Sequence, residues 1–302
     1  MSPARLKAYL FLLVTTVIWA IASPVIKFTL EGLDPLFFLA YRFAISGILG
    51  LFLLILFKPK LPKKISEATF LLIYAFLTST VALGLLFLGM DKTTVLDATL
   101  ITIILPLMVS TAGVLFLHEH VTSKEKIGMA IAVVGTSVTL IEPFSAMNGG
   151  VQKLSGNLIL FAYLAFATIT VVMVKILLRK GYQPTALAHI SFVVGFISLI
   201  PFVLISYGPD GIMNTLATLE PKYHLGVFYM AVLSGTIAYS LSNKGQKTIE
   251  IGEAAVFSYL YPLLSVPLAV LWLKEKITSL FILGSIIIGI GVIIAEVKPK
   301  RV

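Results

Sequence analysis

Ten apolar runs separated by short polar breaks fill most of the chain, at about 6–30, 35–57, 66–90, 95–117, 123–142, 153–178, 184–207, 223–246, 252–273 and 277–296. As α-helices, runs of about 20 residues cross roughly 30 Å of hydrocarbon. The pattern predicts an all-α membrane protein with ten transmembrane helices, numbered here as spans one to ten. The runs are not independent, because residues 95–141 reappear without a gap 156 positions later at 251–297. Asp97, Ala98, Pro106, Leu117, Glu119, Thr122, Ser123, Gly128 and Gly135 correspond to Glu253, Ala254, Pro262, Leu273, Glu275, Thr278, Ser279, Gly284 and Gly291. The most hydrophilic interruption, Asn148 to Lys153, falls between spans five and six and reads as a join. It divides the chain into two five-helix repeats, 1–147 and 148–302. Many secondary transporters are built from a paired membrane unit of this kind.

Composition fixes the solvent. Of 302 residues, 58% are hydrophobic and 12% charged, at a mean hydropathy of +1.02, too little polar surface to coat a water-soluble globule. The net charge of +9 does not point to nucleic acid, since the basic residues sit between apolar runs rather than on one face. They set topology instead. With the N-terminus in the cytoplasm, sixteen Lys and Arg residues fall on the inside and six outside, with Arg42 left within a span. That bias places both termini in the cytoplasm, and the multi-pass protein is expected in the plasma (inner) membrane. Five spans per half is an odd number, so the second repeat enters upside down and the repeats are inverted. Arg5, Lys7 and Ala20-Ile21-Ala22 imitate a secretory signal, but the apolar run continues to Lys27 and span six repeats the lysine-terminated pattern at Lys175. Span one is therefore expected to be retained. The absence of Cys excludes disulfides, thiolate metal sites and a cysteine nucleophile, and no pattern calls for a metal or cofactor.

These features resemble the EamA-type members of the drug/metabolite transporter superfamily over nearly the whole chain. The resemblance rests on Trp19-Ala20 and Lys27 in span one, Pro35 and Arg42 in span two, and Asp97-Ala98, Pro106, Glu119, Gly128 and Gly135 across spans four and five. In the second half it rests on Ala254, Pro262, Glu275, Gly284 and Gly291, although the counterpart of span one lacks the tryptophan. It implies a ten-helix carrier of small organic solutes with its site near mid-membrane, in families that include amino-acid and metabolite exporters and nucleotide-sugar or sugar-phosphate exchangers.

Depth selects the candidate residues. Arg42 lies about seven residues into span two, roughly 10 Å along the helix; it either faces a water-filled cleft, meeting an anionic solute or a closed-state contact, or snorkels to the headgroups. Thr15, Trp19, Ser23 and Lys27 step by four residues and share one side of span one. Trp19 is either a pocket wall or a packing residue, and Lys27, nearer the end, either lines the path or snorkels. The most polar face belongs to span eight, where Gly235, Tyr239, Ser242, Asn243 and Gln246 recur at helical spacing. Tyr74 and Thr78 are its weaker equivalents in span three, and Tyr259 shapes the pocket from span nine. Pro106 and Pro262 predict matched bends that could gate. Asp97 and Glu253 start equivalent helices, as dipole caps or, with His189, as proton-coupling groups. Thr122-Ser123-Lys124-Glu125 has the form of a capping box. Gly128, Gly135, Gly284 and Gly291 suit close helix packing, within the monomer or across a homodimer.

The leading expectation is a secondary transporter that exports a small polar or amphipathic, amino-acid-like metabolite by alternating access. The same-fold alternative is an exchanger of nucleotide-sugar or sugar-phosphate solutes, which requires several cations near the midplane. A non-transporting scaffold or sensor would need an output module, and an intramembrane enzyme would need convergent catalytic groups. Histidines 118, 120, 189 and 224 fall at span ends.

Overall fold

The computed structural model describes residues 2–118, residues 124, 127, 128, 130, 131, 134, 135 and 138, and residues 150–296. Glu119, His120, the Thr122-Ser123 box, Lys298, Lys300, Arg301, part of the join at 148–153 and most of span five lie outside the described residues. Every regular element described is helical. Span one is Pro3–Thr29, span two Pro35–Phe57, span three Ile65–Lys92, span four Val95–Leu117, span six Gly150–Arg179, span seven Pro184–Thr218, span eight Pro221–Thr248, span nine Ile251–Leu271 and span ten Ser279–Glu296. Spans one to four and six to nine are long and apolar enough to cross a membrane.

Local chemistry sets the ends. Ser2, Asp34 and Thr94 cap spans one, two and four with side-chain oxygens that accept from first-turn N–H groups. Proline opens spans one, two, seven and eight, where its missing N–H costs nothing. In span seven, Gly208 with φ of 64° interrupts the helix before Pro209. The predicted end at 207 is thus a real break, and the residues to Thr218 form a separate helical stretch.

Four interruptions fall at matched places in the two halves. Span three passes through a π-helical stretch at Leu77–Ala82 and span eight through one at Tyr229–Tyr239; a shift of 156 carries 77–82 onto 233–238, inside the second stretch. Span four stops after Thr102 and restarts at Leu105, while span nine runs through a 3₁₀ turn at Val256–Leu260 before restarting at Tyr261. Pro106 and Pro262 occupy the second position of the restarted helices, where the chain breaks its hydrogen-bond ladder rather than merely bending.

The halves interleave. Span two packs along span seven, span three along span six, and span one against spans eight and nine. Phe38, Phe43, Phe87 and Phe192 are fully enclosed at the centre. Ile48, Phe52, Ile55 and Ile205 point outward, an apolar exterior suited to acyl chains, as expected of an integral multi-pass membrane protein. A Cβ at Gly135 would lie 2.8 Å from Ile288 of span ten, so this small residue serves packing within one chain.

Candidate functional site

A cavity of about 160 Å³ lies between the two halves. Five predicted residues line it: Trp19 and Ser23 from span one, Arg42 from span two, and Tyr239 and Ser242 from span eight. Helical periodicity had placed Thr15 and Gln246 on the same stripes, and both also reach the wall. Tyr163 of span six, Ser234 of span eight and Ser258 and Tyr261 of span nine complete its polar and aromatic surface. Tyr163 carried no sequence signal, because a single tyrosine in an apolar run is unremarkable until its neighbours are known.

The π-helical stretch of span eight explains how spans one and eight join at this wall. A π turn shifts the ladder by one residue and frees a carbonyl from its usual donor. Trp19 Nε1 donates to the Ser234 carbonyl at 3.0 Å, and Thr15 Oγ1 to that of Ala238 at 3.3 Å. In return Tyr229 donates its hydroxyl to the Ile18 carbonyl at 2.8 Å. The Trp19 ring meets Tyr239 edge-on at 5.0 Å, and Tyr239 meets Phe192 at 5.3 Å. Trp19 is therefore both a cavity wall and a clamp. On the same wall Gln246 Nε2 donates to Ser242 Oγ at 3.0 Å.

Related contacts tie spans together at the two ends of the bundle. At one end Arg5 Nη2 lies 2.6 Å from Glu253 Oε1, and Tyr9 donates to the same oxygen. At the other, Lys153 Nζ lies 2.8 Å from Asp97 Oδ2, while Thr93 bridges Asp97 and Asn157. Arg5 and Lys153 are 148 positions apart, and Asp97 and Glu253 are 156 apart, so each pair joins the first span of one half to the fourth span of the other. Thr94, rather than Asp97, supplies the side-chain cap of span four.

A second correspondence involves the span-terminal lysines. Lys27 Nζ donates to the Met90 and Asp91 carbonyls at 2.9 and 3.0 Å. Lys175, 148 positions on, donates to those of Gln246 and Ile249. Each lysine thus satisfies carbonyls at the C-terminus of the third span of its own half, a favourable site for a cation. Glu275 accepts from Val95 and Leu96 N–H at 2.7 and 2.9 Å, holding the start of span four from the opposite half. Burial raises the Glu275 carboxyl above its ordinary pKa, against the lowering pull of those two donors and of Lys27.

Other predicted residues lie away from the lining. Asn243 donates to the Pro184 carbonyl at 3.1 Å, tying spans eight and seven. Tyr74 is buried among Leu71, Ala75 and Leu177, and Thr78 is buried in the π stretch. Tyr259 packs against the central core while its neighbours Ser258 and Tyr261 face the cavity. His189 is buried where a Cβ on Gly50 of span two would lie 3.1 Å from its own Cβ.

Comparison with known proteins agrees with this architecture. The EamA-like transporter family matches residues 6–141 and 154–296. An uncharacterised transporter, YetK, of Bacillus subtilis is 24% identical over 98% of this chain and 89% of its own length. A probable amino-acid metabolite efflux pump of Escherichia coli is 27% identical over 93% of this chain and 92% of its own, and one of Salmonella typhimurium is 25% identical over 96% and 95%. A solved structure described as a crystal structure of protein superposes with a TM-score of 0.66 at 17% identity, covering 99% of this chain and all of that one, a likeness of fold. The family match over both halves makes the chain a member of the EamA-like transporters.

Proposed function

We propose that this transporter exports a small polar or amphipathic, amino-acid-like metabolite across the plasma membrane by alternating access, with both termini in the cytoplasm and two inverted repeats, 1–147 and 148–302, around the site. The observation that carries the reading is the central cavity, walled by Trp19, Ser23 and Arg42 from the first half and Tyr239, Ser242 and Ser258 from the second. A site shared between halves changes its access when they move against one another. The efflux pumps named among the relatives support export and an amino-acid-like solute. Arg42 is the sole charged side chain among the described cavity residues, which disfavours a nucleotide-sugar or sugar-phosphate exchanger.

The interleaved packing favours a particular motion. Swinging one half as a rigid body would tear the packing of span two on seven and span three on six. Flexing at the π stretches and at the breaks before Pro106 and Pro262 leaves that packing in place. In this reading Arg5–Glu253 and Lys153–Asp97 are the contacts that open in turn at opposite ends. Solute flux in sealed proteoliposomes, across a panel of amino acids and other metabolites, tests the proposal. Wild type should carry at least one amino-acid-like solute, and Ser23→Leu, which fills the cavity, should reduce that flux to background. A folded wild-type protein that moves nothing in the panel, or an unimpaired Ser23→Leu, would contradict it.

A further inference from the structure

Arg42 poses a problem of its own. It is the eighth residue of span two and only 1% exposed, yet Nε, Nη1 and Nη2 have no hydrogen-bond acceptor among the described residues. Three rings, those of Phe43, Phe87 and Phe192, stand 5.6 to 5.8 Å from its guanidinium carbon. Aromatic faces attract the charge but offer no lone pairs to five N–H donors. A buried cation without an acceptor costs several kcal/mol, so its retention inside a membrane points to a ligand that supplies one.

The surroundings indicate what kind. Arg42 lines the central cavity, and a Cβ on Gly235, in the π stretch of span eight, would lie 3.6 Å from Nη2. With glycine at 235, no side chain of that residue stands against the guanidinium. The planar fork of arginine matches a carboxylate by two parallel hydrogen bonds. Arg42 is the single charge in the described wall, so it balances one negative charge and would leave at least half the charge of a phosphate dianion or a diphosphate uncompensated. Trp19, Tyr163, Tyr239 and Tyr261 line the same cavity, flat surfaces for an apolar or aromatic body.

We infer that Arg42 is the anion subsite of the central cavity and that the transported solute carries a single carboxylate joined to an apolar or aromatic body. The inference rests on the transport reading for its solute, but its test does not require flux. Purified protein in nanodiscs is titrated with acid and amide pairs: leucine and leucinamide, phenylalanine and phenylalaninamide, and phenylacetate and phenylacetamide. Inorganic phosphate is included, and thermal stabilisation is read. In wild type at least one acid should stabilise at a concentration roughly tenfold or more below its amide. Arg42→Gln should abolish the difference, and Arg42→Lys should keep part of it. Equal response to acid and amide, preference for phosphate, no response to any acid, or undiminished discrimination in Arg42→Gln would overturn the inference. Should Arg42→Gln not fold, the wild-type comparison of acid with amide still decides. Acid-selective binding without flux would sink the transport reading and leave the subsite standing.

Discussion

Single residues show how far depth and periodicity carry. The four-residue step through Thr15, Trp19 and Ser23 and the polar face of span eight were visible because a regular helix keeps such residues on one side. Thr15, Trp19 and Ser23, with Tyr239, Ser242 and Gln246 of span eight, do reach the cavity. Tyr259 was misjudged as a wall because the chain there is a 3₁₀ turn, which advances by about 120° per residue instead of 100° and brings Ser258 and Tyr261 to the cavity. Asn243 belongs to the polar stripe, yet its amide is occupied by Pro184; polarity alone does not tell a solute contact from a helix tie. Lys27 was read as a path residue or a snorkelling one, whereas its amino group holds the end of span three. Lys27→Met should therefore lower the stability of the ligand-free protein by about 1–3 kcal/mol, since two carbonyls lose a charged donor. Thermal unfolding in detergent without solute checks this; an unchanged midpoint would place Lys27 in the pathway instead.

Whole elements were predicted well and their interruptions poorly. Among the nine described spans the limits agree with the apolar runs within a few residues, apart from the helical stretch beyond Gly208, because hydrocarbon demands continuous apolar helices. The π stretches left no mark beyond Gly235, as a one-residue shift in the ladder depends on neighbours such as Trp19 that accept the misalignment. The end contacts between spans differ in strength. Arg5 is half exposed, at 51% for the side chain, whereas the Asp97 side chain is 3% exposed. An exposed pair contributes about 0–1 kcal/mol, while removing one partner of a buried pair costs about 3–5 kcal/mol. Lys153→Met should thus destabilise markedly more than Arg5→Met in chemical or thermal denaturation. Exchanging the partners, Lys153→Asp with Asp97→Lys, should recover much of the loss. Equal effects of the two single substitutions would show that burial does not govern these contacts.

At the scale of the molecule, the duplication at a spacing of 156 residues was legible, and the matched ion pairs, lysine ties and helix breaks follow it. The interleaving of the halves was not legible, because an internal repeat records similar units without recording which helix packs on which. In the proposed cycle it favours flexing at the four matched interruptions over movement of a whole half. The cavity is lined towards the Arg5 end by Leu12, Gln246, Ile251 and Phe257, while the opposite end carries the buried Lys153–Asp97 contact. Access is therefore expected first from the side of the N-terminus. The chain has no native cysteine, so one introduced at Ser242 reports on the cavity without background. The decisive measurement is its labelling by a membrane-impermeant maleimide added to each side of oriented vesicles. Ser242→Cys should react from the N-terminal side, and adding Lys153→Met should shift the reaction towards the other side. Labelling from neither side, or a distribution indifferent to Lys153, would contradict a solute site exposed alternately by the two end contacts.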